Sequence, residues 1–387
     1  MPEKVLIVDD SIDNRRLLVR TLQKSGYELA EAADGKEALA RTREFFPDLI
    51  LLDIMMPELD GFQVCTALKS DPATADIPVI FLSAKTETQD KIKGLEIGGM
   101  DYITKPFDRG EVLARVRTQL KLRSLMKEIL EKQKRLDEDL KAAAAIQACL
   151  LPQSPPELAR LTLAWKFVPC DLTGGDIFNV LRLDEDQLAF YMLDVSGHGV
   201  PAAMITVSVS QMLQPQGGCV KRKINSPPYY EIVAPLDVIR TLDREYPFER
   251  FNKYFTIVYL IVDLSRGSMI YSNAGHPAPL LLHGDGRVDL LDKGGTIIGL
   301  NGLVPFEQEE IQLLPGDKVF LFTDGLLEFE NHQGEAFGLL RFQTILSQVA
   351  SQPIGQILDT AYESIRTFGG NSQVLDDMTL LGFEYLG

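Results

Sequence analysis

Apolar and polar positions follow three rhythms along the chain. Up to about Gly110, short apolar runs at Val5–Val8, Leu49–Leu52, Val79–Leu82 and Tyr102–Ile103, with a weaker one at Glu28–Ala32, are separated by amphipathic helical stretches. Apolar runs alternating with helices predict five strands of a parallel, doubly wound α/β sheet. From Glu111 to Leu151 there is neither glycine nor proline, with Gly110 just before and Pro152 just after. This predicts a single helix, about 60 Å long at 1.5 Å per residue. Leu122, Ile129, Leu136, Ala143 and Leu150 recur every seven residues, with Leu125 and Ile146 at the companion position and Lys132 and Asp139 interrupting it. That is a coiled-coil seam. A lone helix of this length has nothing in its own chain to cover the stripe, so a parallel homodimer is expected.

After Pro152 the texture changes to short strands: Leu161–Val168, Gln187–Asp194, Thr256–Asp263, Met269–Ser272, Pro279–Leu282, Lys318–Thr323 and Leu380–Phe383. Helical patterns lie at about Pro201–Leu213, Leu236–Glu245, Leu339–Ala350 and from Pro353 to about Phe368. Together they predict an α+β sandwich with helices packed on its sheets. Gln214 to Pro235 reads as an exposed insert carrying a basic spot, Lys221-Arg222-Lys223. The expected domains are therefore 1–110, 111–151 and 152–387.

Composition narrows the function. The 387 residues suffice for two or three domains, and the net charge of -16 argues against a nucleic-acid surface, which needs a basic face. Cys65, Cys149, Cys170 and Cys219 are far apart and form no metal or redox pattern, so they read as reduced, mostly buried thiols. No apolar run is long enough to span a bilayer and no signal peptide precedes the first strand, so a cytoplasmic protein without a membrane partner is expected.

In a doubly wound sheet, function sits at the carboxyl ends of the strands. Those ends carry Asp9, Asp10, Asp53, Ser83 and Lys105. Three carboxylates converging with one lysine suit a hard, oxygen-ligated cation such as Mg²⁺. Val8-Asp9-Asp10, Asp53 to Pro57, Asp60-Gly61, Ser83-Ala84, and Asp101-Tyr102 through Lys105-Pro106-Phe107 resemble the response-regulator receiver family across the whole first domain. The resemblance implies that Asp53 accepts a phosphoryl group from a histidine kinase or phosphotransfer protein. It implies that Asp10, Asp53 and the Met55 carbonyl hold Mg²⁺, with Asp9 acting mainly through water. Lys105 and Ser83 would contact the phosphoryl oxygens, Tyr102 would be the switch aromatic, and the Lys105–Pro106 bond would be cis. A receiver is an input and requires an output.

Four acidic motifs mark the last domain. Asp176 follows Gly174-Gly175; Asp194 ends a strand and enters Val195-Ser196-Gly197-His198-Gly199; Asp324 lies in Thr323-Asp324-Gly325; Asp376-Asp377-Met378-Thr379 precedes the last strand. Each alone is a strand-ending turn signal. Together they suggest a carboxylate cluster, which needs cations to exist and favours Mg²⁺ or Mn²⁺ over Zn²⁺. With Ile146-Gln147 to Leu150-Leu151-Pro152, Asn273-Ala274-Gly275-His276-Pro277 and Pro315-Gly316-Asp317, these motifs resemble the type 2C metal-dependent serine/threonine phosphatases, nearest to the bacterial branch controlling sporulation and stress sigma factors. The resemblance implies that Asp194 bridges two ions with the Val195 carbonyl nearby, Asp176 completes one, and Asp324 with Asp376 completes the other. Asp377 reads more as a neighbour than a ligand, without the two being separated.

One position departs from the family pattern: Asn179 stands where a further aspartate is usual, and this puts outer support or an accessory metal in doubt. His198 and His276 are candidate general acids, with a turn-bonding role favoured for His276. The reading is a two-component phosphatase acting on phosphoserine or phosphothreonine in an anti-anti-sigma-factor-like protein. The rival is a non-catalytic adaptor with a degenerate phosphatase fold.

Overall fold

The computed structural model describes residues 2–84, 88–152, 154, 158–170, 174–197, 199–370, 372 and 374–387. Contacts divide the chain into two compact units, Met1–Leu136 and Asp137–Gly387.

In the first unit, β1 (Lys4–Val8), α1 (Ile12–Gln23), β2 (Glu28–Ala32), α2 (Gly35–Phe45), β3 (Leu49–Asp53), α3 (Gly61–Ser70), β4 (Val79–Ala84), α4 (Thr88–Glu96) and β5 (Asp101–Lys105) follow one another, and α5 (Arg109–Ala148) begins there and ends in the second. Among the described residues five strands form a parallel sheet in the order β2-β1-β3-β4-β5. Leu6, Val8, Ile50 and Leu52 fill the core on one face, and Val5, Ile7, Leu49 and Leu51 the core on the other. Burial on both faces is why these strands are continuously apolar in sequence. The chain order reverses between β1 and β3, which sets Asp9 and Asp53 beside the crevice where such sheets bind ligands.

Helix α5 begins at Arg109, so Gly110 lies inside its first turn rather than before it. Asp108 caps it: Oδ1 accepts the Glu111 N–H at 2.9 Å. The helix ends at Ala148, three residues short of Leu151; Leu150 and Leu151 instead pack on the second unit's core. The predicted seam is exposed in the single chain, with Leu122, Ile129, Leu136 and Ile146 each more than half accessible.

The second unit holds β6 (Leu161–Val168), β7 (Asp176–Arg182), β8 (Gln187–Val195), α6 (Val200–Met212), β9 (Lys221–Lys223), β10 (Tyr230–Ile232), α7 (Pro235–Glu245), α8 (Phe248–Phe251), β11 (Phe255–Asp263) and β12 (Ser268–Ala274). There follow β13 (Leu280–Leu282), β14 (Val288–Leu290), β15 (Gly294–Gly295), β16 (Glu309–Gln312), β17 (Lys318–Phe322), α9 (Asp324–Leu327), α10 (Leu339–Gln348), α11 (Ile354–Gly369) and β18 (Met378–Tyr385). One sheet runs β15-β12-β11-β8-β7 with β16 on β12; the other runs β14-β13-β17-β18-β6. Alternate side chains of both sheets meet in a shared core, where Phe190 stacks on Phe383 at 4.5 Å between centroids. Helices α6 and α7 cover the outer face of the first sheet, and α10 and α11 that of the second.

Two sequence expectations are corrected. The insert from Gln214 to Pro235 is not simply exposed: β9 and β10 pair as a hairpin, and Cys219, Val220 and Val233 are buried in the core. Its Lys221 is tied down, donating to the Leu183 carbonyl at 2.6 Å and lying over the Tyr230 ring. The thiols are not mostly buried either: Cys65 and Cys219 are, Cys170 is intermediate, and Cys149 is exposed.

Candidate functional sites

In the first unit, Asp9, Asp10 and Asp53 each bring a carboxylate oxygen to within 4.8 Å of the others, close enough to share a cation. Asp9 and Asp53 are buried while Asp10 is exposed. Lys105 reaches across from β5, its Nζ 2.7 Å from Asp53 Oδ2 and 2.9 Å from Asp9 Oδ2. Burial pushes the Asp53 carboxyl above its ordinary value, opposed by the Lys105 hydrogen bond. For Lys105, burial favours the neutral amine but is outweighed by Asp53 and Asp9, so its pKa is raised. Met55, 74% exposed, follows at the mouth, and its N–H donates to Asp53 Oδ1. Ser83 is buried, and its Oγ has no partner among the described residues, which suits an acceptor that arrives with a ligand. Tyr102 lines a small cavity together with Ser83, Ile54 and Phe81, and Arg115 stacks over its ring. The Lys105–Pro106 bond is cis.

Sequence reasoning missed two supports here. Asn14 Nδ2 donates to Asp9 Oδ1 at 3.0 Å, and Arg15 Nη1 donates to the Asp9 carbonyl at 2.6 Å. Both lie on the first turn of α1, and their spacing behind Asp9 and Asp10 was the available signal.

In the second unit the predicted aspartates converge at one end of the sandwich. Asp176 and Asp194 are directly opposite in the β7–β8 ladder, so both side chains point to the same face, toward the second sheet. That sheet supplies Asp324 just after β17 and Asp376-Asp377 just before β18. Burial, then Asp324 and Asp376, push Asp194 up to about 7; burial and Asp194 push Asp176 well above its ordinary value. Among the described residues no lysine, arginine or histidine forms an ion pair with Asp176, Asp194 or Asp324. Oxygen donors carrying this much uncompensated negative charge fit divalent cations.

The two candidates at the end of the chain behave differently. Asp377 is 2% exposed, and its carboxylate accepts the Cys170 N–H at 2.9 Å and the Asp176 N–H at 3.3 Å. Asp376 is exposed, accepts the Asp377 N–H, and adds to the field that raises Asp194. The glycines have a steric reason: a Cβ on Gly174 would collide with Asp377, and one on Gly175 would lie 2.6 Å from the Val195 carbonyl oxygen. Thr379, missed in sequence although it lies within a quoted motif, donates to Asp176 Oδ2 at 2.6 Å.

Asn179 does not join the cluster. Three residues beyond Asp176 on a strand, it faces the opposite side of the sheet, where Nδ2 donates to the Leu150 carbonyl at 3.0 Å and Oδ1 accepts the Val180 N–H. His276 is 5% exposed, and burial lowers its pKa to about 3, which leaves it neutral and unsuited to act as a general acid. His198 lies outside the described residues. No helix among the described residues is long and apolar enough to cross a membrane.

Comparison with known proteins matches the two units separately. A model of the response regulator receiver domain matches residues 5–117, and a model of stage II sporulation protein E (SpoIIE) matches residues 184–385. The DNA-binding dual master transcriptional regulator RpaA of Synechocystis is 47% identical over 118 residues, 30% of this chain and 49% of that one. Response regulator PleD of Caulobacter vibrioides is 43% identical over 133 residues, 34% of this chain and 29% of that one. The chain thus spans about half or less of the length of these curated relatives. Among solved structures, the SiaA-PP2C domain of Pseudomonas aeruginosa aligns over 66% of this chain and 98% of that one, with a TM-score of 0.53 at 23% identity. The RsbU and RsbW domains of Rv1364c from Mycobacterium tuberculosis align over 61% and 63%, with a TM-score of 0.51 at 25% identity. A receiver domain is thus fused to a domain with the PP2C fold. Its second unit being matched over more than half of the whole sequence, the chain belongs to the stage II sporulation protein E family.

Proposed function

We propose that this chain is a response regulator whose output is a metal-dependent protein serine/threonine phosphatase. The observation that carries the reading is the meeting of Asp176, Asp194, Asp324 and Asp376 from two sheets, with Asp194 raised to about 7 by burial and by its acidic neighbours. Two Mn²⁺ or Mg²⁺ ions would be held there, one by Asp194, the Val195 carbonyl and Asp176, the other by Asp194, Asp324 and Asp376. When bound, the ions lower the pKa of water and stabilise the charge that develops during displacement at phosphorus. The chain's own residues hold that arrangement: Thr379 orients Asp176, and Asp377 anchors the backbone beneath it. Because Asp377 is committed to two amides, Asp376 is the better ligand. Asn179 was the one feature favouring a non-catalytic adaptor. Bonded to Leu150 on the other face of the sheet, it takes nothing from the carboxylate cluster.

Asp53 is the proposed phosphorylation site, supplied by a histidine kinase or phosphotransfer protein. Mg²⁺ would be held by Asp10, Asp53 and the Met55 carbonyl with help from Asp9, and Lys105 and Ser83 would receive the phosphoryl oxygens. Tyr102 lines the small cavity beside Ser83. The exposed seam of α5 favours a parallel homodimer. Gln147, near the end of that helix, donates to the Gly174 carbonyl at 2.8 Å, two residues before Asp176, so a change in the helix has a short bonded route to the carboxylates. The proposed substrate is a phosphoserine or phosphothreonine on an anti-anti-sigma-factor-like protein. The test is hydrolysis of such a phosphoprotein with Mn²⁺. Asp194→Ala and Asp324→Ala should abolish it with the fold retained, and hydrolysis that survives in either variant would defeat the reading.

A further inference from the structure

His276 sits where the two sheets approach each other. Its N–H donates to Asn273 Oδ1 and its carbonyl accepts from Asn273 Nδ2, each at 2.8 Å, so the turn after β12 is clamped. The ring is buried, with Nδ1 2.9 Å from Thr256 Oγ1. Its Nε2 has no hydrogen bond of ordinary geometry among the described residues, although the backbone of Phe322, two residues before Asp324, is within reach. A buried polar atom left in this state is unfavourable, and packing alone would be served better by an apolar side chain.

Thr256 gives the ring a purpose. It stands directly opposite Asp194 in the β8–β11 ladder, just as Asp176 does in the β7–β8 ladder. Residues opposite one another in antiparallel strands share a face, about 4.5–5.5 Å apart at Cβ. Asp176, Asp194 and Thr256 therefore form one cross-strand row, and His276 holds the end of it. We propose that His276 is a positioning residue for divalent-cation binding: through Thr256 it fixes the Asp194 carboxylate in the orientation that completes the site with Asp176, Asp324 and Asp376. The ring does this as its Nδ1–H tautomer: Nδ1 donates to Thr256 Oγ1, which leaves the Thr256 hydroxyl proton for Asp194. This inference rests on the two-ion reading above.

The test is Mn²⁺ titration of the full chain followed by electron paramagnetic resonance, with the receiver site silenced by Asp10→Asn in every sample. Thr256→Val, which keeps the shape and loses the hydroxyl, should weaken Mn²⁺ binding about tenfold, as should His276→Phe. The double variant should bind no more weakly than either single one, because both act through one contact. His276→Asn, whose amide can replace Nδ1, should recover part of the loss. Thermal unfolding in chelator checks that each variant folds, and Thr256→Val decides alone if His276→Phe does not. Wild-type affinity in Thr256→Val, or losses that add in the double variant, would overturn the inference and leave the two-ion reading standing. A wild-type chain that takes up no Mn²⁺ would overturn both.

Discussion

In the proposed reading Asp194 holds both ions, and its environment makes a prediction about pH. Its carboxyl is raised from 3.8 to about 7 in the folded, metal-free chain, chiefly by burial. The folded state therefore binds a proton there that the unfolded state has already lost. Stability must then fall as pH rises from about 4 toward 7, and the loss is complete above that range. With chelator present, the unfolding transition of the phosphatase domain should move to lower temperature between about pH 5 and pH 7.5, and by less in Asp194→Asn. Saturating Mn²⁺ should remove the difference, since a ligand bound only to the folded state stabilises it. A transition that rises with pH over this range in the chelated wild type would contradict the burial of Asp194. The neighbouring pair separates two roles at the same scale. Asp377→Ala strips acceptors from two backbone amides and should cost about 2 kcal/mol in chemical denaturation. Asp376→Ala relieves like-charge repulsion but strips the acceptor of one amide, so it should cost the chelated protein less than Asp377→Ala while removing catalysis. The reverse pattern would exchange their roles.

At the scale of elements, the connector helix carries the sharpest expectation. Its seam repeats every seven residues, so its angular phase is set by length. Inserting seven residues near Lys134 keeps the phase, whereas inserting three or four rotates one end of the seam against the other. The seven-residue insert should keep phosphorylation-responsive activity, and the shorter inserts should fix the rate high or low without unfolding the catalytic domain. Light scattering should report a dimer for the wild type. A monomer, or equal regulation in every insert, would rule out the helix as the coupling element. Long elements such as this one were legible because their pattern repeats many times. Short ones were not: β9 and β10 lie in a stretch rich in glycine, proline and charge, and they are ordered by Val220 and Val233 entering a core built elsewhere. Strand β7 was missed for a related reason. Asp176 and Asn179 interrupt its apolar character because they are bonded to distant parts of the chain.

Over the whole molecule, the two sites were readable in sequence as residue types and motifs, and their assembly was not. The order of Asp9, Asp10, Asp53 and Lys105 along one parallel sheet follows from strand ends. The phosphatase cluster needs residues about 200 positions apart, and only the sandwich brings Asp377 to the backbone of Asp176. Asn179 shows the limit most clearly: its identity looked like a defect in a metal site, and its side chain turned out to hold the end of the connector. The central claim is that a receiver controls a metal-dependent phosphatase in one chain. The most direct measurement is the rate of phosphate release from a phosphoserine protein by the full chain with Mn²⁺, with and without a small phosphodonor, for wild type and Asp53→Asn. The account predicts hydrolysis that vanishes in chelator, changes on adding the phosphodonor to wild type, and does not change in Asp53→Asn. Hydrolysis that persists in excess chelator, or that responds to the phosphodonor equally in both proteins, would contradict it.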